Sequence, residues 1–192
     1  MEIKQGLPAK LIKQAIELYY NSLHQKLKPV FGNKDSAVSY LINNIDPTKC
    51  IFAIDNEEVI GILGIQDING SFLTPSFSQM VRKYGFFSSL FRFLLLILMN
   101  YDIKPNELHL DGIAVSPNKR GQGIGSRLIS EFENYAGQRN IQLISLEVIN
   151  TNPDAKKLYN RLGFKEIKSS SVWPFTKIFG FSSSTLMTKD YK

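Results

Sequence analysis

The chain has 192 residues, enough for one domain with its own core, and its 43% hydrophobic and 21% charged residues are ordinary for a globular protein. The net charge is +6, but no basic face interleaved with aromatic residues stands out, so nucleic acid is not the expected partner. The single cysteine, Cys50, excludes an internal disulfide framework and suits a reducing cytosol, and we therefore expect one cytoplasmic domain, residues 1–192.

The first 65 residues predict a strand, two helices and a strand hairpin. Apolar residues at helical spacing and capping residues indicate the helices, and runs of apolar and β-branched residues indicate the strands. The predicted elements are, in chain order, a short strand around Ile3, a helix over 11–21 that follows Pro8, a helix capped by Asp35 or Ser36, and strands at 50–54 and 59–65.

Residues 72–101 contain an unusual apolar stretch. Its core, residues 86–99, is interrupted only by two serines and Arg92. The run is too short for a bilayer span, which needs ~20 residues. It predicts an extra apolar helical insertion around residues 73–104. Three uses remain open: packing across the sheet, an oligomer contact in a homodimer, or a lid over a hydrophobic acceptor.

A glycine-rich loop separates the apolar run 108–115 from the helical stretch 126–138. Closely spaced glycines bring bare backbone N–H groups near an anion, and the following helix adds the positive end of its dipole. Arg120 adds a charge at the start of the loop. The pattern predicts a diphosphate site formed by Arg120, Gly121, Gln122, Gly123, Ile124, Gly125 and Ser126.

Two common phosphate loops do not fit this segment. A Walker loop requires Gly-Lys-Ser/Thr after four residues, and no lysine follows these glycines. A dinucleotide-binding fingerprint requires a third glycine where Ser126 stands. The spacing Arg-x-x-Gly-x-Gly after a strand ending in Val115-Ser116-Pro117 instead resembles the acetyl-CoA signature of the GNAT superfamily of N-acetyltransferases. A flexible turn without a ligand remains the alternative for the loop alone.

A second motif, downstream, is similar to the same family. A strand predicted at 141–148 ends in Val148 and continues as Val-x-x-x-Asn-x-x-Ala-x-x-Leu-Tyr-x-x-x-Gly-Phe, with Asn152 and Tyr159 at its polar positions. The two motifs occur in the order and at the spacing that the family uses. The resemblance covers residues 107–168 well and the first hundred residues only loosely.

The resemblance implies an α/β (α+β) GNAT fold, with a central mixed twisted sheet of six or seven strands flanked by helices. It implies acetyl-CoA as the cosubstrate, an amine as the acceptor and no metal. The cofactor would lie between the strands at 108–115 and 141–148. The backbone of Ile113, Ala114 and Val115 would pair with the pantetheine arm, and Asn152 would hydrogen-bond to that arm.

The resemblance also implies the catalytic groups. Tyr159 would give a proton to the leaving thiolate. Asp111 would draw a proton from the incoming ammonium, with His109 as the alternative base and water as the third. His109, Asp111, Ile113 and Val115 share strand parity, so we expect them to point to one face. The predicted function is N-acetyl transfer by direct attack on acetyl-CoA. The alternative is an acyl-CoA-binding sensor that is catalytically inactive.

Overall fold

Eight strands form one mixed sheet in the computed structural model, which describes residues 1–191. They are β1 (Glu2–Gln5), β2 (Cys50–Asp55), β3 (Glu58–Asp67), β4 (Gly70–Ser71), β5 (Glu107–Val115), β6 (Leu143–Ile149), β7 (Lys165–Ser171) and β8 (Ser183–Asp190). Seven of them follow the order β1-β2-β3-β5-β6-β8-β7, and the short β4 pairs with β3 off this path. Every pairing is antiparallel except that of β5 with β6. The predicted mixed sheet is confirmed.

Helices cover both faces of this sheet. They are α1 (Ile12–Ser22), α2 (His24–Phe31), α3 (Lys34–Leu41), α4 (Phe77–Tyr84), α5 (Phe86–Met99), α6 (Ile124–Gly137), α7 (Pro153–Arg161) and α8 (Thr176–Phe179). The helix α1 packs on β3 and β5, and α6 packs on β2, β3 and β5. The helices α1 and α6 each present an apolar stripe to the sheet because their apolar residues recur every three or four positions.

Two apolar cores result, one on each face of the sheet. Alternation along β3 sends Ile62 to the α1 side and Leu63 to the α6 side. The α1 core contains Tyr19 and Phe72, whose rings meet edge to face with their centroids 5.3 Å apart. The α6 core is built around Phe132. The central strands are therefore buried on both sides, and a polar residue in them needs a specific partner or an opening to water.

In the N-terminal half one local prediction was wrong and one helix was not predicted. The second predicted helix is capped by Asn33, whose side chain accepts a hydrogen bond from the Ser36 N–H at 3.0 Å, and not by Asp35 or Ser36. A further helix, α2, contains Pro29, which removes a helical donor and hides the helix in the sequence pattern. Burial of Leu27, Val30 and Phe31 in the α1 core offsets that loss.

The predicted apolar insertion consists of α4 and α5. The helix α5 packs on α4 and α2 and does not lie across the sheet. Only Ser89 and Leu95 of α5 are fully buried, and most of its apolar side chains are exposed. Among residues 1–191, no helix is both long enough and apolar enough to cross a bilayer.

Candidate active site

The parallel strands β5 and β6 separate part of the way along their length. Their pairing runs from Glu107 opposite Leu143 to Leu110 opposite Leu146 and then stops. Beyond this point β5 continues to pair only with β3, on its other edge. The edge of β5 from Asp111 to Val115 consequently presents N–H and C=O groups that no strand of the described chain takes up.

A cleft of about 750 Å³ opens at this separation. Its walls come from β5, the glycine-rich loop, the first turn of α6, β6, α7 and the segment joining α1 to α2. The predicted site residues that line it are Asp111, Ile113, Ala114, Val115, Arg120, Gly121, Gly123, Ile124, Gly125, Ser126, Asn152 and Tyr159. His109 and Gln122 are not among the lining residues, and Gln122 is exposed at the surface.

The glycine-rich loop adopts a conformation that few other residues could take. Gly121 has φ 75° and Gly123 has φ 76°, both in the left-handed region. A Cβ atom at either position would meet no heavy atom within 4 Å, so the space beside the loop is open. The glycines are required by backbone angle and not by crowding, and they leave room for a ligand against the main chain.

The first turn of α6 carries donors without protein acceptors. Gly123 is the N-cap and offers no side chain, and the first intrahelical bond runs from the Arg127 N–H to the Gly123 carbonyl at 3.0 Å. The N–H groups of Ile124, Gly125 and Ser126 donate to no acceptor in residues 1–191. Three free donors and the positive end of a 14-residue helix therefore face the cleft.

Basic side chains surround this turn. Arg120 is exposed, and its Nε donates to the Val115 carbonyl at 3.3 Å, which holds the guanidinium near the end of β5. Lys119 lies beside it and pairs with Asp55 at 3.2 Å. Arg161 reaches the cleft from α7. The potential in this half of the cleft favours an anion.

Tyr159 lines the cleft from α7. Its side chain is buried, and its ring meets Phe164 edge to face with the centroids 6.0 Å apart. Burial raises the pKa of the Tyr159 hydroxyl above its ordinary value of 10.0, so the group stays protonated at neutral pH. Asn152 caps the same helix, since its side-chain oxygen accepts from the Ala155 N–H at 3.2 Å.

Asp111 occupies a β-bulge at the point where the strands separate. Gly64 pairs with Gly112 and Ile65 with Leu110, which leaves Asp111 as the extra residue. Its Oδ2 atom is buried and has no hydrogen-bond partner in the described part of the chain. Burial raises the pKa of Asp111 to about 6, although the positive charge of Lys26 acts in the opposite direction.

The bulge changes which side chains share a face, and the predicted common face is wrong. Ile113 and Val115 pack with the α6 core. Asp111 and His109 lie on the other face, where Lys26 of α2 influences the pKa of both. The extra residue at the bulge shifts the alternation of β5 by one position, so parity counted from His109 fails beyond Asp111.

His109 belongs to a buried hydrogen-bond chain beneath the cleft. Its Nδ1 lies 2.8 Å from Ser145 Oγ, which donates to Glu107 Oε1 at 2.5 Å. The single hydroxyl proton of Ser145 is thereby used, so His109 must donate from Nδ1 and keep a lone pair on Nε2. Tyr101 stacks on the imidazole with the ring centroids 4.2 Å apart and donates to the same Glu107 oxygen.

The surroundings keep His109 neutral. Burial, with a smaller contribution from the positive charge of Lys26, lowers its pKa to about 3. The imidazole therefore carries no charge at physiological pH. Its contacts anchor β5 to β6 over the paired part of the two strands, next to the separation.

Sequence reasoning missed several charged residues that line the cleft, among them Glu147 and Lys26. Glu147 lies on β6 just past the last paired position, and Leu146 and Val148 on either side of it pack into the α6 core. Glu147 thus shares the face of Asp111. The sequence could have indicated Glu147, because a glutamate interrupts a mostly apolar strand. Lys26 had no such signal, since it lies on the helix that Pro29 concealed.

Within residues 1–191, no group of His, Cys, Asp and Glu side chains is arranged to hold a metal ion. The cleft therefore offers two kinds of chemistry. One half presents backbone donors and cations, and the other presents Asp111 and Glu147, and Tyr159 of α7 is also among the lining residues.

Comparison with known proteins identifies relatives of the chain. A sequence model of the Acetyltransferase (GNAT) family matches residues 16–164. Thialysine N-epsilon-acetyltransferase of Bos taurus is 33% identical over 70 residues, which cover 36% of this chain and 41% of that protein. Streptothricin acetyltransferase of Streptomyces lavendulae is 35% identical over 66 residues, 34% of this chain and 35% of that protein. The match thus spans about two-fifths or less of the length of these curated relatives.

Solved structures share the fold over the whole chain. A Streptococcus mutans protein has a TM-score of 0.65 at 19% identity, with 100% of both chains covered. The ribosomal-protein alanine N-acetyltransferase of Escherichia coli has a TM-score of 0.61 at 17% identity, covering 100% of this chain and 94% of its own. At these identities the likeness establishes the fold alone.

Proposed function

We propose that this chain, which belongs to the GNAT family of acetyltransferases, transfers an acetyl group from acetyl-CoA directly to a primary amine. The observation that carries the proposal is the free edge of β5, from Asp111 to Val115, which leads to the open glycine-rich loop. An extended amide chain ending in a diphosphate matches these two features in order.

The residues of β5 and of the glycine-rich loop fit such a cosubstrate. The backbone of Ile113, Ala114 and Val115 would pair with the two amides of the pantetheine arm. The N–H groups at the start of α6, together with Arg120, would hold the diphosphate. The oxygen of Asn152 already accepts from the Ala155 N–H, and its amide NH2 would donate to the pantetheine arm. Bound acetyl-CoA would supply an activated thioester, and the chain would supply position and proton transfer.

Tyr159 would act as the general acid. Its raised pKa keeps the hydroxyl neutral and protonated, which is the form that can donate to a leaving thiolate. Burial beside Phe164 restricts the ring, so the hydroxyl is held in the cleft wall before the cosubstrate arrives. Positioning of this kind reduces the reorganisation needed during reaction.

Asp111 would act as the base toward the incoming ammonium. Its pKa of about 6 makes it largely ionised at neutral pH while still basic enough to accept a proton. The unpartnered Oδ2 atom is free for such a contact. Glu147 on the neighbouring strand adds a second carboxylate, which favours a positively charged acceptor. His109 is held below the cleft and keeps β5 and β6 in register.

A direct test measures release of free thiol from acetyl-CoA in the presence of a panel of primary amines. If the chain is an enzyme, the rate of thiol release should rise with the concentration of at least one amine, and the corresponding amide should form. A chain that binds acetyl-CoA in calorimetry but releases no thiol with any amine would instead be an acyl-CoA sensor. Absence of acetyl-CoA binding would contradict both functions.

A further inference from the structure

The outward face of α5 is an uninterrupted apolar surface. Its exposed members are Phe86, Phe87, Leu90, Phe91, Leu94, Ile97 and Leu98. At about 100° per residue they occupy one arc of about 140° on the helix, and no polar side chain falls inside that arc. We call these seven residues the α5 face.

The area of the α5 face is larger than a free surface usually presents. Its members expose between 44% and 85% of their surface. If each large apolar side chain covers roughly 200 Å², the face amounts to roughly 800 Å² of exposed surface. Contiguous apolar patches on monomeric proteins rarely exceed about 300–600 Å², and larger ones mark an interaction site.

The charged residue of α5 points away from this face. Arg92 donates through its guanidinium to the Val30 carbonyl and to Ser88 Oγ, and it lies over the Tyr84 ring at 4.2 Å. Those contacts attach α5 to α2 and α4. The α5 face consequently has no cation of its own for the head groups of an anionic membrane, and it has no unsatisfied polar group that a partner must match.

We propose that the α5 face is the contact with a second copy of this chain, in which the two α5 helices pack against each other about a two-fold axis. Phe87, Phe91, Leu94 and Leu98 recur at intervals of four, three and four residues, the spacing of the contact seam between paired helices. A stable protein–protein interface uses about 800 Å² per partner, which is the area that the face offers. A purely apolar centre is typical of homodimers.

This contact leaves both clefts open. No residue of the described part of α5 lines the cleft, and α5 reaches it only through α2, on which it packs. The α5 face is therefore not a lid over the acceptor. The proposal is independent of the proposed acetyl transfer, because association is measured without substrate.

The chain offers a matched pair of variants for the test. Ile97 in the α5 face and Ile167 in the edge strand β7 are both 60% exposed. Ile97→Glu would place a carboxylate in the contact, whereas Ile167→Glu would place the same group in open solvent. Sedimentation equilibrium should give wild type and Ile167→Glu about twice the chain mass of 21.8 kDa, and should show the Ile97→Glu dimer to dissociate roughly tenfold or more readily.

A cross-link tests the geometry separately. Leu94 lies near the middle of the α5 face, so a two-fold axis there would bring its two copies together. Under mild oxidation Leu94→Cys should form a covalent dimer and Ile167→Cys should not, since a disulfide needs Cα atoms within about 7 Å. The native Cys50 is buried and will not compete.

Three outcomes would overturn the proposal. They are a wild-type chain that stays monomeric at 100 µM, dimerisation that Ile167→Glu weakens and Ile97→Glu does not, and a monomer that floats with phosphatidylglycerol vesicles through its α5 face. The second would assign the contact to β7, and the third would assign the face to a membrane surface.

Discussion

Leu110 faces Leu146 at the last paired position of β5 and β6, and beyond this pair the two parallel strands separate. The next residue of β5, Asp111, forms a bulge against β3, and the next residue of β6 is Glu147. Two carboxylates therefore flank the place where the sheet opens. A gap between strands would cost stability in a closed core, and here it opens to solvent as part of the cleft.

Gly123→Glu should abolish acetyl-CoA binding. The new carboxylate would project into the open space beside the loop and repel a diphosphate. Because Gly123 has φ 76°, any side chain there costs roughly 1–2 kcal/mol of backbone strain. Gly123→Ala bears the same strain without the charge and should retain most of the affinity. Calorimetry measures the affinity of both variants for acetyl-CoA, and circular dichroism verifies that they fold. Equal affinities would show that the loop does not bind the diphosphate.

Tyr159→Phe should lower kcat by at least roughly tenfold while the affinity for acetyl-CoA stays within about twofold. Only the proton donor is lost, and the ring retains its edge-to-face contact with Phe164. Steady-state kinetics beside a binding titration separates the two quantities. An unchanged kcat would leave Tyr159 as a packing residue and transfer the donor role to water.

Asp111→Asn should remove the acidic limb of the rate profile. In the wild type, kcat/KM should rise as pH passes through about 6, because the raised pKa of Asp111 keeps the carboxyl protonated below that value. The variant should be slower by at least roughly tenfold between this pH and the pKa of the amine, and its profile should show no inflection near pH 6 and should rise only with the fraction of unprotonated amine. His109→Gln should keep the limb. Loss of the limb in His109→Gln alone would assign the base to the imidazole.

The same group has a predictable effect on stability. The folded-state pKa of Asp111 lies above the ordinary value of 3.8, so the native state binds its proton more tightly than the unfolded chain does. Its contribution is fully present below about pH 4 and declines as pH rises through about 6. Asp111→Asn lacks this decline. The free energy of unfolding of the variant, relative to that of wild type, should therefore be higher at pH 8 than at pH 4. Urea unfolding at both pH values measures the difference.

Ser145→Ala should destabilise the fold by about 1–3 kcal/mol, since the variant leaves the His109 Nδ1–H and one bond of buried Glu107 without a partner. Ser130→Ala, on the exposed side of α6, is the control and should change stability by less than about 0.5 kcal/mol. Urea denaturation gives both values. Equal stability of the two variants would show that the buried chain of hydrogen bonds contributes little.

Several features of this protein could be predicted from contiguous sequence patterns. The glycine-rich loop could be predicted because its requirements are local: left-handed backbone at Gly121 and Gly123, and a helix that starts directly after them. The position of Tyr159 likewise follows from a contiguous motif on one short helix. Strand and helix types followed from apolar periodicity, which depends only on neighbours in the chain.

Long-range pairing decided the rest. Whether Asp111 shares a face with His109 or with Ile113 depends on the register of β5 against β3, where one extra residue reverses the alternation. The proximity of Glu147 to Asp111 depends on where β5 and β6 stop pairing. The neutral state of His109 depends on its burial, and its hydrogen bond to Ser145 joins two parallel strands across 36 residues of chain. The sequence by itself determines residue types and local backbone geometry. The environment that sets the charge and direction of a side chain forms only when distant segments pack together.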